Sequence, residues 1–266
     1  MKGHLRITCT TEGTGLSHLS HQSFCAPFHL SKPHEDAGAL VVNVVNPTAG
    51  LFDGDEVELE AKAEHASRLV LTTPSASRIY HSRSGNPAIV RQRVDVAAGC
   101  SVEFLPEPII PQSGSMYHQS TDLNVAAGGE LIFFEWLAPG RVASGEVFKY
   151  RELNWQTDVR SDGNLIARER YRLDPSQPES LAALTTKFPQ AHYLGCFFIA
   201  ETTFPRDAIE ALKNETTYLG WSPLPKAGYV IKALCADSLS TRALLGQLRT
   251  ILYWALARPM PTLGRF

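Results

Sequence analysis

The chain has 266 residues, 44% of them hydrophobic, enough to bury a sizeable core, and the reading is one globular domain over 1–266. Its 25 Lys and Arg stand against 27 Asp and Glu with no long run of one sign. It therefore lacks the basic excess that holds a nucleic-acid backbone, and no nucleic-acid partner is expected.

The N-terminus, "MKGHLRITCTTEGTGLSHLS", holds no apolar run of signal-peptide length, and no later segment reaches the ~18 apolar residues of a bilayer span, so no membrane association is expected. Five widely spaced cysteines without a CxxC pair fit reduced thiols and a cytoplasmic location better than a disulfide framework. Histidines crowd this end at positions 4, 18, 21, 29 and 34. His18, His21 and Cys25 have the spacing of a divalent-metal site on a helix. Ser17, Ser20, Ser23 and Phe24 argue against a helix there, and a strand would splay the three ligands.

From residue 39 the period is two. "ALVVNVVNP", "DEVELEAKA", "SRLVLTT", "AIVRQRVDV", "CSVEFLPE", "STDLNVA" and "ELIFFEWLA" carry β-branched or aromatic residues in strand-length runs, and a longer strand-rich stretch follows from "GEVFKYRELNW" to "RERYRL". Asp53-Gly54, Gly128-Gly129 and Asp162-Gly163 supply the turns. An echo links "VAAGCSVEFLPEP" at 96–108 with "VAAGGELIFFEWLAPG" at 125–140, 29 residues on, and "HASRLVLTTPS" at 65–75 is a third, degenerate copy. Repetition of this kind suits similar strands stacked as coils or layers. Residues 173–190, with three prolines, read as an exposed connection. Beyond them "FPRDAIEALKNE" reads as a short helix. "ADSLSTRALLGQLRTILYWALARP" reads as a longer amphipathic one, capped by Ser238 or Ser240 and stopped by Pro259. The fold class is mainly β, an elongated layered sandwich or β-helix-like structure with two helices in its last third.

Catalytic signatures do not appear. There is no nucleophile elbow, no HExxH and no phosphate loop; the GxG of "EGTGLSH" opens no helical pattern. A hydrolase built on Ser75 or Ser113 would need His81 or His118 beside it, and a β-rich ligand-binding module would need an exposed aromatic platform. The carboxylate pairs Asp53/Asp55 and Glu103/Glu107 have the spacing of structural residues.

The order of motifs resembles the urease accessory protein UreD family, also called UreH. The resemblance runs through "LVVNVVNPTAGLFDGDEVELE", "LVLTTPSASRIYHS", "VEFLPEPIIPQSGS" and "GRVASGEVF" to the closing "STRALLGQLRTILYWALARP" and "GRF", covering about 38–172 and 237–266. Ala49-Gly50 replaces the family's Gly-Gly, Arg78 its Lys, and Phe266 its final Trp. The resemblance implies a non-catalytic maturation chaperone that binds apo-urease and UreF, through which the GTPase UreG is recruited, in a dimeric assembly formed through UreF. No tightly bound cofactor is implied; nickel is transient cargo that passes through a channel. Such a channel needs weak oxygen or nitrogen ligands and water. Asp55, Thr72, Thr73, Ser75, Ser77, Arg78, Glu135, Arg141 and Glu146 are the candidates for the nickel path or for partner contact, although hydroxyls at strand ends also satisfy backbone groups. Arg141 is expected to pair with Glu146 or another carboxylate. Leu252, Trp254, Arg265 and Phe266 are the candidates for partner docking.

Overall fold

In a computed structural model that describes residues 1–13, 15–225 and 228–263, the period-two segments become strands that alternate between two facing sheets. Strands Lys2–Glu12, Glu56–Ala63, Ala88–Val96, Met116–Val125 and Glu152–Ser161 lie side by side and parallel in the first sheet. The intervening strands Ala39–Val45, Arg68–Thr72, Ser101–Leu105 and Glu130–Leu137 lie parallel in the second. Gly50–Leu51, Ser77–Ile79 and Ile109–Pro111 form a short third row. The chain thus winds as a solenoid of stacked coils. Antiparallel strands close both edges of the first sheet, Leu16–Phe24 at one and Asn164–Leu173 at the other. The second sheet continues antiparallel through His192–Ile199, Tyr229–Cys235 and Thr217–Pro223.

The sequence echo is the corner of successive coils. Val96 stands in register with both Ala63 and Val125, and the turns bond to each other through Ala97 N to Ala63 O at 3.0 Å, Ala126 N to Val96 O at 2.9 Å and Gly99 N to Gly128 O at 2.9 Å. Gly99 and Gly128 adopt positive φ, and Ala66 holds the same place at φ 57°. An alanine in a position that favours glycine is why the first copy looks degenerate. At the opposite corner, a Cβ on Gly50 would lie 2.2 Å from Arg78 O, so the Ala49-Gly50 turn keeps the glycine at which the neighbouring coil makes its close approach.

Alternation buries one face of each parallel strand of the first sheet. Leu5, Leu59, Leu71, Val94, Phe104, Leu123 and Phe133 meet between the sheets in one apolar cluster, and Val57, Val90, Tyr117, Leu153 and Trp155 form another toward the other end of the same interior. The outer face of the second sheet is covered by helix α3, Ser238–Ala255, through Leu244, Leu248 and Leu252. The cap of α3 is Asp237, which accepts from Ser240 N at 2.8 Å, in place of the serines expected from sequence; the helix ends before Pro259, with Ala257 at positive φ. Two further helices precede it, α1 (Pro178–Thr185) and α2 (Arg206–Glu210). α1 lies in the segment read as a connection. Pro178 sits in its first turn, where the missing N–H costs nothing, so this proline starts a helix instead of breaking one.

A buried ion pair fastens α3 to the sheet. Arg249 donates to Glu103 in bidentate fashion, Tyr253 O–H donates to the same carboxylate at 2.8 Å, and Arg249 Nη2 also donates to Pro261 O at 3.2 Å. Arg249→Ala strands a buried carboxylate and is expected to destabilise the protein by about 3–5 kcal/mol in urea unfolding. Joint replacement by Glu103→Gln and Arg249→Met removes both charges and is expected to recover most of that loss.

Candidate functional site

The same alternation that builds the core carries several polar side chains inward. Gln92 shares its inward face with Val90 and Val94, Gln119 and Thr121 share theirs with Tyr117 and Leu123, and Thr157 shares its face with Trp155 and Val159. Register aligns them as a row, Gln92 beside Thr121, Thr121 beside Thr157 and Thr157 beside Glu169. On the facing sheet Glu135 stands beside Gly195, which stands beside Lys232. The row separates the two apolar clusters of the inter-sheet space.

The hydrogen bonds of these groups fall in three sets. Tyr117 O–H donates to Gln119 Oε1, Gln119 Nε2 donates to Thr121 Oγ1 at 3.2 Å, and Thr121 donates to Gln92 Oε1 at 3.2 Å. Trp155 Nε1 at 2.9 Å and Thr157 Oγ1 both donate to Glu135 Oε1. At the far end Lys232 pairs with Glu169, which also accepts from Tyr171 O–H at 3.2 Å, and this pair is partly open to solvent. At the near end is a cavity of about 90 Å³ whose apolar walls include Val44, Leu59 and Phe104 and whose polar lining includes Asn46, Thr73, Ser75, Ser77, Gln92 and Glu107.

Glu135 is the titratable centre of this interior. It is 2% exposed, and Oε2 is buried without a hydrogen-bond partner among the described residues. Burial pushes its carboxyl up to about 7 against the opposing pull of its Thr157 and Trp155 hydrogen bonds; the neighbouring Glu169 adds to the rise and Lys232 opposes it. An acid poised near neutrality among hydroxyls, amides and a phenol can release a proton to accept a cation, or hold water.

The structure distributes the residues expected from sequence unevenly. Thr73, Ser75 and Ser77 line the cavity, with Thr73 Oγ1 also accepting from Glu107 N at 2.8 Å. Thr72 is fully buried, and its hydroxyl donates to Leu105 O at 2.8 Å across the ladder. Asp55 is buried away from the cavity lining, where it accepts from Phe52 N at 2.9 Å and pairs with the Met1 amino group at 2.7 Å. Those are the partners of a turn cap. Arg78 lies exposed on the short third row. Arg141 and Glu146 pair, as expected, in a hairpin at the surface; the guanidinium and Ser113 N hold the Glu146 carboxyl down at about 2.

One docking candidate is corrected, and two alternatives that the sequence disfavours do not form. His18, His21 and Cys25 lie on or just after an extended strand, so His18 and Cys25 are about 20 Å apart along it; His18 faces Thr10 and Cys25 faces His4. Among the described residues no group of three His, Cys, Asp or Glu side chains is placed to hold a metal ion. Leu252 is fully buried in the packing between α3 and the sheet and is no docking residue, whereas Trp254 is 75% exposed. The serine–histidine pairs of the hydrolase reading do not form, since His81 Nδ1 bonds the carbonyl of Ser113 and His118 bonds Glu152 and Asn154. Arg265 and Phe266 lie outside the described residues.

The interior row was hidden from sequence reading because its members sit in different strands. The signal was there as polar residues at apolar parity, Gln92 in "AIVRQRVDV" and Gln119 and Thr121 in "YHQSTDL". Gln92 and Thr121 are separated by the same 29 residues as the corner echo.

The Glu135 environment fixes a pH dependence. From the ordinary carboxyl value of 4.5 up to about 7, the native state keeps a proton that the unfolded chain has lost, so stability falls as pH rises through that window and levels off above it. Relative to Glu135→Gln, which holds the same volume without a charge, the wild-type protein is expected to lose roughly 3 kcal/mol across the window. Urea unfolding at a series of pH values reads the difference; parallel curves for the two proteins would exclude a protonated Glu135.

Residues 1–265 match the family model described as UreD urease accessory protein. Among curated relatives, "Urease accessory protein UreD" of Opitutus terrae is 37% identical over 261 residues, covering 96% of each chain. The protein of that name from Herpetosiphon aurantiacus is 30% identical over 268 residues, 97% of this chain and 92% of the relative. Its namesake from Acetivibrio thermocellus is 28% identical over 244 residues, 90% of this chain and 93% of the relative. With a family match over nearly its whole length and a relative this similar, the chain belongs to the UreD family of urease accessory proteins.

Proposed function

We propose that the protein is a non-catalytic chaperone of urease maturation that binds apo-urease and UreF, recruits UreG through UreF, and lets nickel pass along its polar interior. The observation that carries this reading is the polar row from the cavity lined by Thr73, Ser75 and Ser77 past Gln92 and Thr121 to the buried Glu135, in a chain whose residues 1–265 match the UreD family. Hydroxyl, amide and carboxylate oxygens hold a divalent cation loosely enough for it to move on, where a thiolate or imidazole set would retain it. Glu135 supplies a strong ligand at the middle of the row and gains a negative charge when a cation displaces its proton.

Docking falls to the outer face of α3, where Leu239 and Trp254 stand 79% and 75% exposed. Large apolar side chains held clear of the core favour a protein contact. UreF is the partner assigned to this face, and a dimeric assembly forms through UreF.

Three outcomes test the reading. Deleting the protein is expected to leave urease polypeptide levels unchanged while urease nickel content collapses; normal nickel in the deletion strain would overturn the function. Glu135→Gln is expected to lower nickel per assembled complex severalfold while the complex still forms, and an unchanged ratio takes Glu135 out of the path. Trp254→Asp is expected to weaken recovery of UreF in pull-down with circular dichroism unaltered, because this side chain makes little of the core; undiminished recovery moves the docking site elsewhere.

A further inference from the structure

One cluster at the edge of the first sheet has no part in the proposed path. Of the five cysteines, Cys9, Cys100, Cys196 and Cys235 are buried and Cys25 is exposed. Cys25 Sγ lies 3.2 Å from Nδ1 of His4, and Nε2 of the same ring lies 2.9 Å from Ser23 Oγ. Sulfur, imidazole and hydroxyl therefore stand in line, although Cys25 and His4 are far apart in sequence. Main-chain bonds fix the alignment, with Cys25 N donating to His4 O at 2.9 Å and Phe28 N to Cys25 O at 3.1 Å. The loop also sits hard on the strand, since a Cβ on Gly3 would lie 2.3 Å from Ala26 O.

A nucleophile within hydrogen-bond reach of a base, with the base oriented by a third group, is the arrangement that activates a thiol. We propose that Cys25 is a nucleophilic modification site, with His4 as its general base and Ser23 as the positioning residue, and that it forms mixed disulfides with small disulfides such as oxidised glutathione. In that exchange the Cys25 Sγ–H proton passes to His4 Nδ1 and the sulfur attacks one sulfur of the small disulfide. A new S–S bond forms, the old one breaks, and the departing thiolate takes the proton from His4. Cys25 is oxidised, the small disulfide is reduced to one equivalent of thiol, and no other oxidant is needed. The imidazolium formed on the way donates from both nitrogens, to the thiolate and to Ser23 Oγ, so the charged intermediate keeps both contacts. Exposure gives a small disulfide access to the sulfur, while the four buried thiols are closed to it.

The test uses the full folded chain, with oxidised glutathione and separately iodoacetamide as probes, and mass spectrometry to locate the adduct across pH 6–9. Cys25 is expected to be modified before any other cysteine. His4→Gln is expected to slow the reaction about tenfold at pH 7 and to move its pH profile to that of a free thiol, and Ser23→Ala to give a smaller loss in the same direction. Cys25→Ser should abolish labelling of the native protein. Equal rates and profiles for wild-type protein and His4→Gln would overturn the proposal. A wild-type profile matching that of free glutathione would do so independently, without relying on any variant.

Discussion

The structure depends on one constraint, the in-register parallel pairing of successive coils. When strand stacks on strand without slippage, a residue's inward or outward face is shared by its counterparts above and below. Apolar positions then superpose into continuous clusters between the sheets, and an inward polar residue finds its polar counterpart one strand away. The Gln92, Thr121 and Thr157 positions follow from this rule alone. A slip of one residue in any coil would turn its polar member out to solvent and place an apolar side chain in the gap.

The interior is organised around two different treatments of buried charge. Glu103 is fully answered, by a guanidinium and a phenol, and so serves as a fastener for α3. Glu135 is answered on one oxygen only, by an indole N–H and a hydroxyl. A carboxylate in the first situation has both oxygens committed to protein partners; one in the second keeps an oxygen open to whatever enters. That contrast separates the acid that fastens α3 from the acid proposed for the nickel path more clearly than burial, since both residues are almost wholly enclosed.

Much of the fold was legible in sequence because the alternation of two and the 29-residue echo are local patterns that the coil geometry repeats. The closing amphipathic helix was equally plain from Leu244, Leu248 and Leu252. Pro178 misled because proline reads as a breaker unless the start of the helix is known. The site was only half legible. Thr73, Ser75 and Ser77 lie in one stretch and were found together, whereas Gln92, Gln119, Thr157 and Lys232 gain meaning only once lateral register is known. Asp55 stands in a motif of the family, yet its partners are those of a turn.

The hairpin strands that seal the first sheet set a dimension as well as an edge. Between the cavity end of the row and the Glu169–Lys232 end lie Gln92, Thr121 and Thr157 on successive strands, and each step is one strand spacing of about 4.8 Å. The number of coils therefore acts as a ruler. Adding or losing one coil would alter the span between the two ends of the row by a fixed increment while leaving either end chemically intact, so the distance between them is counted in whole strands and cannot drift.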